Sequence, residues 1–321
     1  MRAVLVERLD GPDAVVVRDV PDLEPSPTEI LIDVKAAGVS FPDLLLSSGL
    51  YQVKPPLPFT LGTEVSGVVR RAPADSQFSP GDHVVAFTGL GGFADLALAD
   101  PEAVLPLPGG VSFSAGAALP MNYLTAHFAL LRRGRLQHGE TVLVHGAAGG
   151  VGTASVQIAR AYGARVVAVV STAAKGDVAR RAGADEVVLA DRFLDSVHEL
   201  TDGAGVDVIL DPVGGARFAD SLRALAPEGR LLVVGFTAGE IPTVRVNRLL
   251  LANISVVGVA WGAFALGRPG FLQHQWQELL PFLHSGAIDP VLGSSYPVAE
   301  AGLALRELAE RRATGKLTLN F

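Results

Sequence analysis

The sequence predicts an α/β protein in which an irregular all-β stretch is followed by a doubly wound parallel sheet of six strands. Three observations carry that prediction. Up to about Val104 the chain runs as short β-like segments broken by Gly and Pro turns. After Ser114, Ala/Leu-rich helical stretches alternate with Val-rich strands. The stretch HGAAGGVG, from His145 to Gly152, crowds four glycines into eight residues directly behind the apolar run Thr141 to Val144. With 321 residues the chain is long enough for about two domains and a substantial core.

Taken in order, Ala3 to Val6, Ala14 to Arg18, Glu29 to Ala36, Glu64 to Val69 and His83 to Phe87 read as strands, with one short helical piece near Phe41 to Leu46. The run from Ala103 to Leu131 holds no Asp, Glu, Lys or Arg, but Pro106, Pro108, Gly109, Gly110 and Pro120 cut it below the ~20 apolar residues of a membrane span. It is expected to be a buried junction. The six strands of the parallel sheet are then Thr141 to Val144, Arg165 to Val170, Glu186 to Leu189, Val206 to Asp211, Arg230 to Gly235 and Ile254 to Val259. Helices start near Gly150, Thr172, Arg192 and Ala216, and this βα alternation places helices on both faces of the sheet. A helix near Leu272 to Ser285, a strand near Ser295 to Val298 and a helix near Ala299 to Arg312 return to the first domain. The expected boundaries are residues 1–118, 119–264 and 265–321.

Charge and cysteine content narrow the functional classes. A net charge of −7, with no lysine/arginine cluster beyond pairs such as Arg132-Arg133 and Arg180-Arg181, argues against nucleic acid as the ligand. There is no cysteine, which removes disulfides and thiolate zinc sites. Glu7 and Asp10 fall where a secretory signal would need an apolar core, so a cytoplasmic protein that does not enter a membrane is expected. The seven histidines are scattered, no two on one helical face at metal-ligand spacing, and read as structural or surface groups, with no metal site.

In a strand–turn–helix unit one glycine permits the tight turn, one lets the backbone approach a pyrophosphate, and one lets helix and strand pack closely. Gly146, Gly149, Gly150 and Gly152, with Val151 between the last two, fit those tasks, and the following helix presents its unpaired N–H groups and positive dipole end to the phosphates. A purely structural tight turn is the alternative. The six-strand alternation around the loop favours dinucleotide binding. At the end of the second strand an NAD site usually carries Asp or Glu for the ribose hydroxyls, whereas here Ser171-Thr172-Ala-Ala-Lys175 follows. Hydroxyls and a lysine attract a 2′-phosphate, which favours NADPH; the alternative for Lys175 is a solvated helix position.

At this point the chain resembles the medium-chain dehydrogenase/reductase superfamily, and within it the zinc-independent quinone oxidoreductase (zeta-crystallin-like) family. The resemblance spans essentially the whole chain through Ala36-Ala-Gly-Val-Ser-Phe-Pro-Asp43, Ser48-Gly-Leu-Tyr51, Leu61-Gly-Thr-Glu-Val-Ser-Gly67, Pro80-Gly-Asp-His-Val84, Asn122-Tyr-Leu-Thr-Ala126, His145 to Gly152 and Gly315-Lys-Leu317. It implies a GroES-like β domain ahead of a Rossmann domain, which explains why the glycine loop arrives so late. Zinc-dependent relatives carry a catalytic cysteine where this chain has Ser40 and a histidine where it has Thr63, so the resemblance implies chemistry without zinc.

Without a metal, the reaction the resemblance implies is hydride delivery from NADPH to an electron-poor carbon conjugated to a carbonyl, in a quinone or an enone. The oxygen that gains charge needs a hydrogen-bond donor and then a proton. Tyr51, in the Gly-x-Tyr turn where relatives place a cleft tyrosine, is the first candidate; a half-buried packing ring is the alternative. Ser40 and Asp43 match the segment that approaches the nicotinamide in relatives, although Ser40 replaces a frequent asparagine, and Asp43 is equally suited to capping the helix it begins. Thr125 matches a cofactor-contacting threonine or is an ordinary core residue, and Gly235 with Phe236 follows the fifth strand, where relatives hold the nicotinamide. Ala190 stands where some relatives have a tyrosine beside the 2′-phosphate, leaving that phosphate to Ser171 and Lys175.

Two rivals remain at this stage. An enoyl-thioester reductase would share the Gly-x-Tyr turn and need a basic entrance, for which the arginine pairs are the only hint. A non-catalytic NADPH-binding protein, crystallin-like or a sensor, would bind cofactor without turnover. A short-chain reductase is disfavoured by the position of the glycine loop and the absence of Tyr-x-x-x-Lys. The near-unbroken apolar run Ile254 to Val259 suits a covered edge strand, and relatives pair there, so a homodimer is expected.

Overall fold

The structure is a computed structural model that describes residues 1–321. Along the first part of the chain lie β1 (Arg2–Val6), β2 (Val15–Asp19), β3 (Ile30–Val39), α1 (Phe41–Ser47), β4 (Phe59–Thr60), β5 (Glu64–Arg71), β6 (His83–Phe87), β7 (Leu96–Ala99), β8 (Val104–Pro106), α2 (Phe113–Gly116) and α3 (Pro120–His127). The middle holds β9 (Thr141–His145), α4 (Gly150–Ala161), β10 (Arg165–Val170), α5 (Ala173–Arg181), β11 (Glu186–Leu189), α6 (Phe193–Leu200), β12 (Val206–Asp211), α7 (Phe218–Ala224), β13 (Leu225–Val233), α8 (Val246–Ala252), β14 (Ser255–Gly258) and α9 (Trp261–Ala265). The chain ends with α10 (Phe271–His284), β15 (Leu292–Pro297), α11 (Ala301–Ala309) and β16 (Lys316–Asn320).

Two compact units result: Met1–Met121 with Pro269–Leu280 and Leu292–Phe321, and Asn122–Arg268 with Pro281–Val291. The first is a GroES-like β unit. Its larger sheet runs in the order β15-β16-β3-β5-β6-β8, with β7 also on β3, and a smaller sheet runs β2-β1-β4. Its core is built from β-branched and aromatic side chains such as Val4, Ile30, Ile32, Val65, Val84 and Phe93, the residue types that fit a pleated surface. The second is a Rossmann unit whose six strands, in the order β11-β10-β9-β12-β13-β14, are all parallel. Its central strands are buried and read as continuous apolar runs.

The expected βα alternation is present, with helices beginning at Gly150, Ala173 and Phe193 and, after a short 3₁₀ turn over Gly215–Arg217, at Phe218. The units differ from the expected boundaries by a few residues at 119–121, which fall with the β unit, and at 265–268, which fall with the Rossmann unit; the longest departure is residues 281–291, which also belong with the Rossmann unit. Gln157 on α4 explains it, because its Nε2 donates to Asp289 O at 2.6 Å while its Oε1 accepts from Asp289 N at 3.1 Å and from the buried Tyr123 hydroxyl at 2.7 Å. The uncharged run is broken as expected, and no helix is long and apolar enough to cross a membrane.

Candidate cofactor and active site

The glycine loop divides its labour in space. Gly146 closes the turn after β9 at φ 60°, a conformation that L side chains rarely adopt. A Cβ on Gly152 would lie 2.2 Å from Gly146 O and 2.7 Å from Ala147 Cα, so Gly152 is the close-packing position. A Cβ on Gly149 would meet only Gly146 O at 3.4 Å and otherwise open space. Gly149 is also the N-cap of α4, and no side chain caps that helix, so its first N–H groups face outward for an anion. A Cβ on Gly150 would strike Asn122 Nδ2 at 2.5 Å. This cradle fits a dinucleotide diphosphate: bare backbone, free space and an uncapped helix end coincide.

The loops after β12 and β13 complete the same end of the sheet. Asp211, buried, accepts from Val213 N at 2.8 Å and Gly214 N at 2.9 Å. The following loop bonds back through Thr237 N to Pro212 O at 3.1 Å and Ala238 N to Val213 O at 2.9 Å. Gly235 and the half-buried Phe236 are thereby brought against Pro212 and Gly214, and Gly146 against Val213, at the carboxyl ends of β9, β12 and β13. This is where ligands bind in open α/β sheets. Behind the loop His145 is buried with Nε2 2.8 Å from Ser221 Oγ; burial pulls its imidazole down to about 4, which keeps it neutral in ordinary conditions and fits the structural role expected of it.

At the end of β10, Ser171 is exposed and no acid follows. Thr172 spends its hydroxyl on the N-cap of α5, accepting from Lys175 N at 3.3 Å. The Lys175 side chain is half-buried, and that burial lowers its ammonium below the ordinary lysine range, a desolvation that an approaching phosphate would offset. Ala190 is buried at the end of β11 and offers no ring to an adenosine.

In the β unit the structure brings together Ser40, Asp43, Glu64 and Lys316. Lys316 pairs with Glu64 Oε1 and donates to Ser40 Oγ at 2.6 Å; Ser40 Oγ donates to Glu64 Oε1 at 3.0 Å, and Met121 N donates to Glu64 Oε2 at 2.7 Å. Gly38 makes room, since a Cβ there would fall 2.6 Å from Lys316 Cε and 2.7 Å from Glu64 Oε1. Asp43, 0 % exposed, accepts from Ser40 N at 2.8 Å and Gly62 N at 3.3 Å, so it performs the capping role on α1. Burial pushes its carboxyl up to about 7, against the opposing pull of the Ser40 N–H and the Lys316 charge. Tyr51 is half-buried at the edge of the β-unit core; burial first, and the Asp43 charge second, raise its phenol. Sequence reasoning did not find Glu64 and Lys316 as members of this cluster, although both lie in the quoted Gly-Thr-Glu and Gly-Lys-Leu motifs; the missing signal is that β16 pairs with β3.

Comparison with known proteins agrees with this geometry. Residues 26–109 match the alcohol dehydrogenase GroES-like domain and residues 150–285 the zinc-binding dehydrogenase family. Quinone oxidoreductase-like protein 2 of Rattus norvegicus is 36 % identical over 324 residues, covering 100 % of this chain and 92 % of the rat protein. The chain belongs to the quinone oxidoreductase family of the medium-chain dehydrogenase/reductase superfamily. It is an oxidoreductase of that family. Among solved structures, a probable oxidoreductase from Mycobacterium abscessus superposes with a TM-score of 0.91 at 41 % identity, covering 100 % of this chain and 99 % of that one. The quinone oxidoreductase from Thermus thermophilus, whose complex with NADPH is also known, superposes with a TM-score of 0.88 at 35 % identity over 100 % of both chains. The family match accounts for the chain order of β unit, Rossmann unit and return.

Proposed function

We propose that the chain is an NADPH-dependent oxidoreductase that passes hydride, without zinc, to the conjugated carbon of a quinone or an α,β-unsaturated carbonyl compound. The observation that carries this reading is the pairing of an open Gly149 cradle with a strand end that offers Ser171 and Lys175 in place of an acid. The Thermus relative's NADPH complex supports the same choice of cofactor. The zinc-free reading rests on residue chemistry: Ser40 and Thr63 stand where zinc-dependent relatives place Cys and His, and the Ser40 oxygen and the Glu64 carboxylate are engaged by the Lys316 ammonium.

The bound cofactor supplies the hydride. As it adds to the β-carbon, the electron pair of the conjugated double bond moves onto the carbonyl oxygen, which needs a donor. Tyr51 is the group we assign, because its raised phenol keeps its proton and so stays a donor near neutral pH. Ser40 and Asp43 already spend their polar atoms within the buried cluster, and we assign them to holding α1 in place. The arginine pairs that hinted at a thioester entrance are in part engaged elsewhere: Arg132 stacks 4.9 Å from the Phe264 ring centroid, Arg133 Nε bonds Gly258 O at 2.9 Å, and Arg180 pairs with Asp177 at 2.8 Å.

The test is NADPH oxidation by wild type and Tyr51→Phe with a quinone and with an enone as acceptors. Wild type is expected to turn over both. The variant should lose on the order of tenfold to a hundredfold with the enone, as befits a lost donor worth about 1–3 kcal/mol, and less with the quinone, whose product water protonates readily. No turnover with any acceptor would favour the non-catalytic rival, and unchanged enone turnover in the variant would remove Tyr51.

We also propose a homodimer formed along β14. That strand is the outer edge of the parallel sheet, and the neighbouring α8 exposes Val246, Leu250 and Leu251. A monomer mass in sedimentation at micromolar concentration would contradict it.

A further inference from the structure

The turn between β4 and β5 carries a hydroxyl that nothing in the protein uses. Thr63 is 4 % exposed, its Oγ1 is closed off from solvent, and it meets no hydrogen-bond partner. The other buried serine and threonine hydroxyls are all spent, Ser47 on Leu44 O at 2.8 Å and Ser66 on Val84 O at 3.2 Å among them. A hydroxyl buried without a partner costs the desolvation of its donor and its lone pairs, and in a native chain that cost calls for a compensating role. Thr63 is also held in place. Its carbonyl accepts from Thr88 N at 2.9 Å and Gly89 N at 3.2 Å, and the preceding Gly62 is wedged so tightly that a Cβ would fall 2.3 Å from Phe93 N. Gly62 N donates to Asp43 Oδ1 at 3.3 Å, and the charge of the same carboxylate acts on the Tyr51 phenol. Asp43 is therefore the neighbour that Tyr51 and the Gly62–Thr63 turn have in common.

We propose that Thr63 is a second hydrogen-bond donor to the acceptor, its Oγ–H binding the carbonyl oxygen that gains charge as hydride arrives. This rests on the hydride-transfer reading above and adds a residue to it. The balance of the step is unchanged: the hydride brings its electron pair from NADPH to the β-carbon, the π pair moves onto oxygen, and the proton that completes the product comes from Tyr51 or, for a quinone, from water as well. Thr63 keeps its own proton, because an aliphatic hydroxyl is too weak an acid to release it near neutral pH; it stabilises the charge and transfers nothing. Since oxygen gains charge in both classes of acceptor, Thr63 serves both alike, whereas Tyr51 matters more for the enone.

The experiment compares wild type, Thr63→Val, which keeps the branched shape without the hydroxyl, and Thr63→Ser, which keeps the hydroxyl. Each full chain is assayed for NADPH oxidation with a quinone and with an enone, titrated with NADPH by calorimetry and unfolded by heat. In Thr63→Val, kcat should fall about tenfold or more with both acceptors while NADPH affinity holds, and Thr63→Ser should stay within about threefold of wild type. The unfolding temperature of Thr63→Val should equal or exceed that of wild type, because an unpaired buried hydroxyl has been removed. Lost turnover with undiminished stability is a combination that a hydroxyl serving only the fold does not give. Wild-type turnover in Thr63→Val would overturn the proposal, and so would a lowered unfolding temperature, which would assign the hydroxyl to the fold. Weaker NADPH binding with kcat intact would also overturn it, by assigning the hydroxyl to the cofactor. Failure of the unsubstituted chain to oxidise NADPH with any acceptor would instead overturn the parent reading.

Discussion

The buried cluster of Ser40, Asp43, Glu64 and Lys316 sets two carboxylates against one ammonium in a space sealed from water, and that imbalance has a consequence. A buried pair costs desolvation that only good geometry and further hydrogen bonds recover, and Glu64 receives both from Lys316, Ser40 and Met121 N. Asp43 is left with two backbone donors, and its carboxyl rises from 3.8 to about 7. Between those values the folded chain holds a proton that the unfolded chain has released, so this group's contribution to stability is full below pH ~4 and is lost as the pH rises through about 7. Urea unfolding at a series of pH values should therefore show wild type losing ground to Asp43→Asn across that window; a pH-independent difference would contradict the assignment. The capping role of Asp43 was one of two readings the sequence left open, the other being a place beside the nicotinamide, and the part of Ser40 in that cap was not read from the sequence. Nor was Lys316, because it meets Glu64 across 252 residues of chain and no local pattern encodes that contact.

At the scale of elements, β9 and α4 with their connecting loop show how one glycine differs from another. Gly152→Ala would force its Cβ onto Gly146 O, 2.2 Å away, and should destabilise the chain by about 1–3 kcal/mol in thermal or urea unfolding. Gly149→Val meets open space, so it should fold with near wild-type stability yet abolish dinucleotide binding, because the side chain fills the volume a diphosphate needs. The reverse pattern, a stable Gly152→Ala and an unfolded Gly149→Val, would show that the loop's roles have been exchanged. The strands and helices of the Rossmann unit were legible because Val-rich runs of strand length alternate with helical segments and are punctuated by turn residues. β7, β8 and β16 were not, being short or buried segments in which two-residue alternation is lost. α3 was hidden in the same way, inside an uncharged run that reads as a junction until Pro120 is seen to open a helix.

At the scale of the molecule, a β unit is interrupted by a Rossmann unit and then resumed, with residues 281–291 retained by the latter through Gln157 and Asp289. The late glycine loop made the order legible; the retained segment depends on side-chain hydrogen bonds to backbone that no periodicity announces. The central claim is that the Rossmann unit of this oxidoreductase binds NADPH in preference to NADH, through a diphosphate cradle common to both and a 2′-phosphate contact at Ser171 and Lys175. Calorimetric titration of wild type and Lys175→Ala with each dinucleotide tests it most directly. Wild type should bind NADPH more tightly, and the variant should lose about 1–3 kcal/mol for NADPH with NADH nearly unchanged, since only the charge-assisted bond to the 2′-phosphate is removed. Equal weakening of both dinucleotides, or tighter binding of NADH by the wild-type chain, would contradict the account.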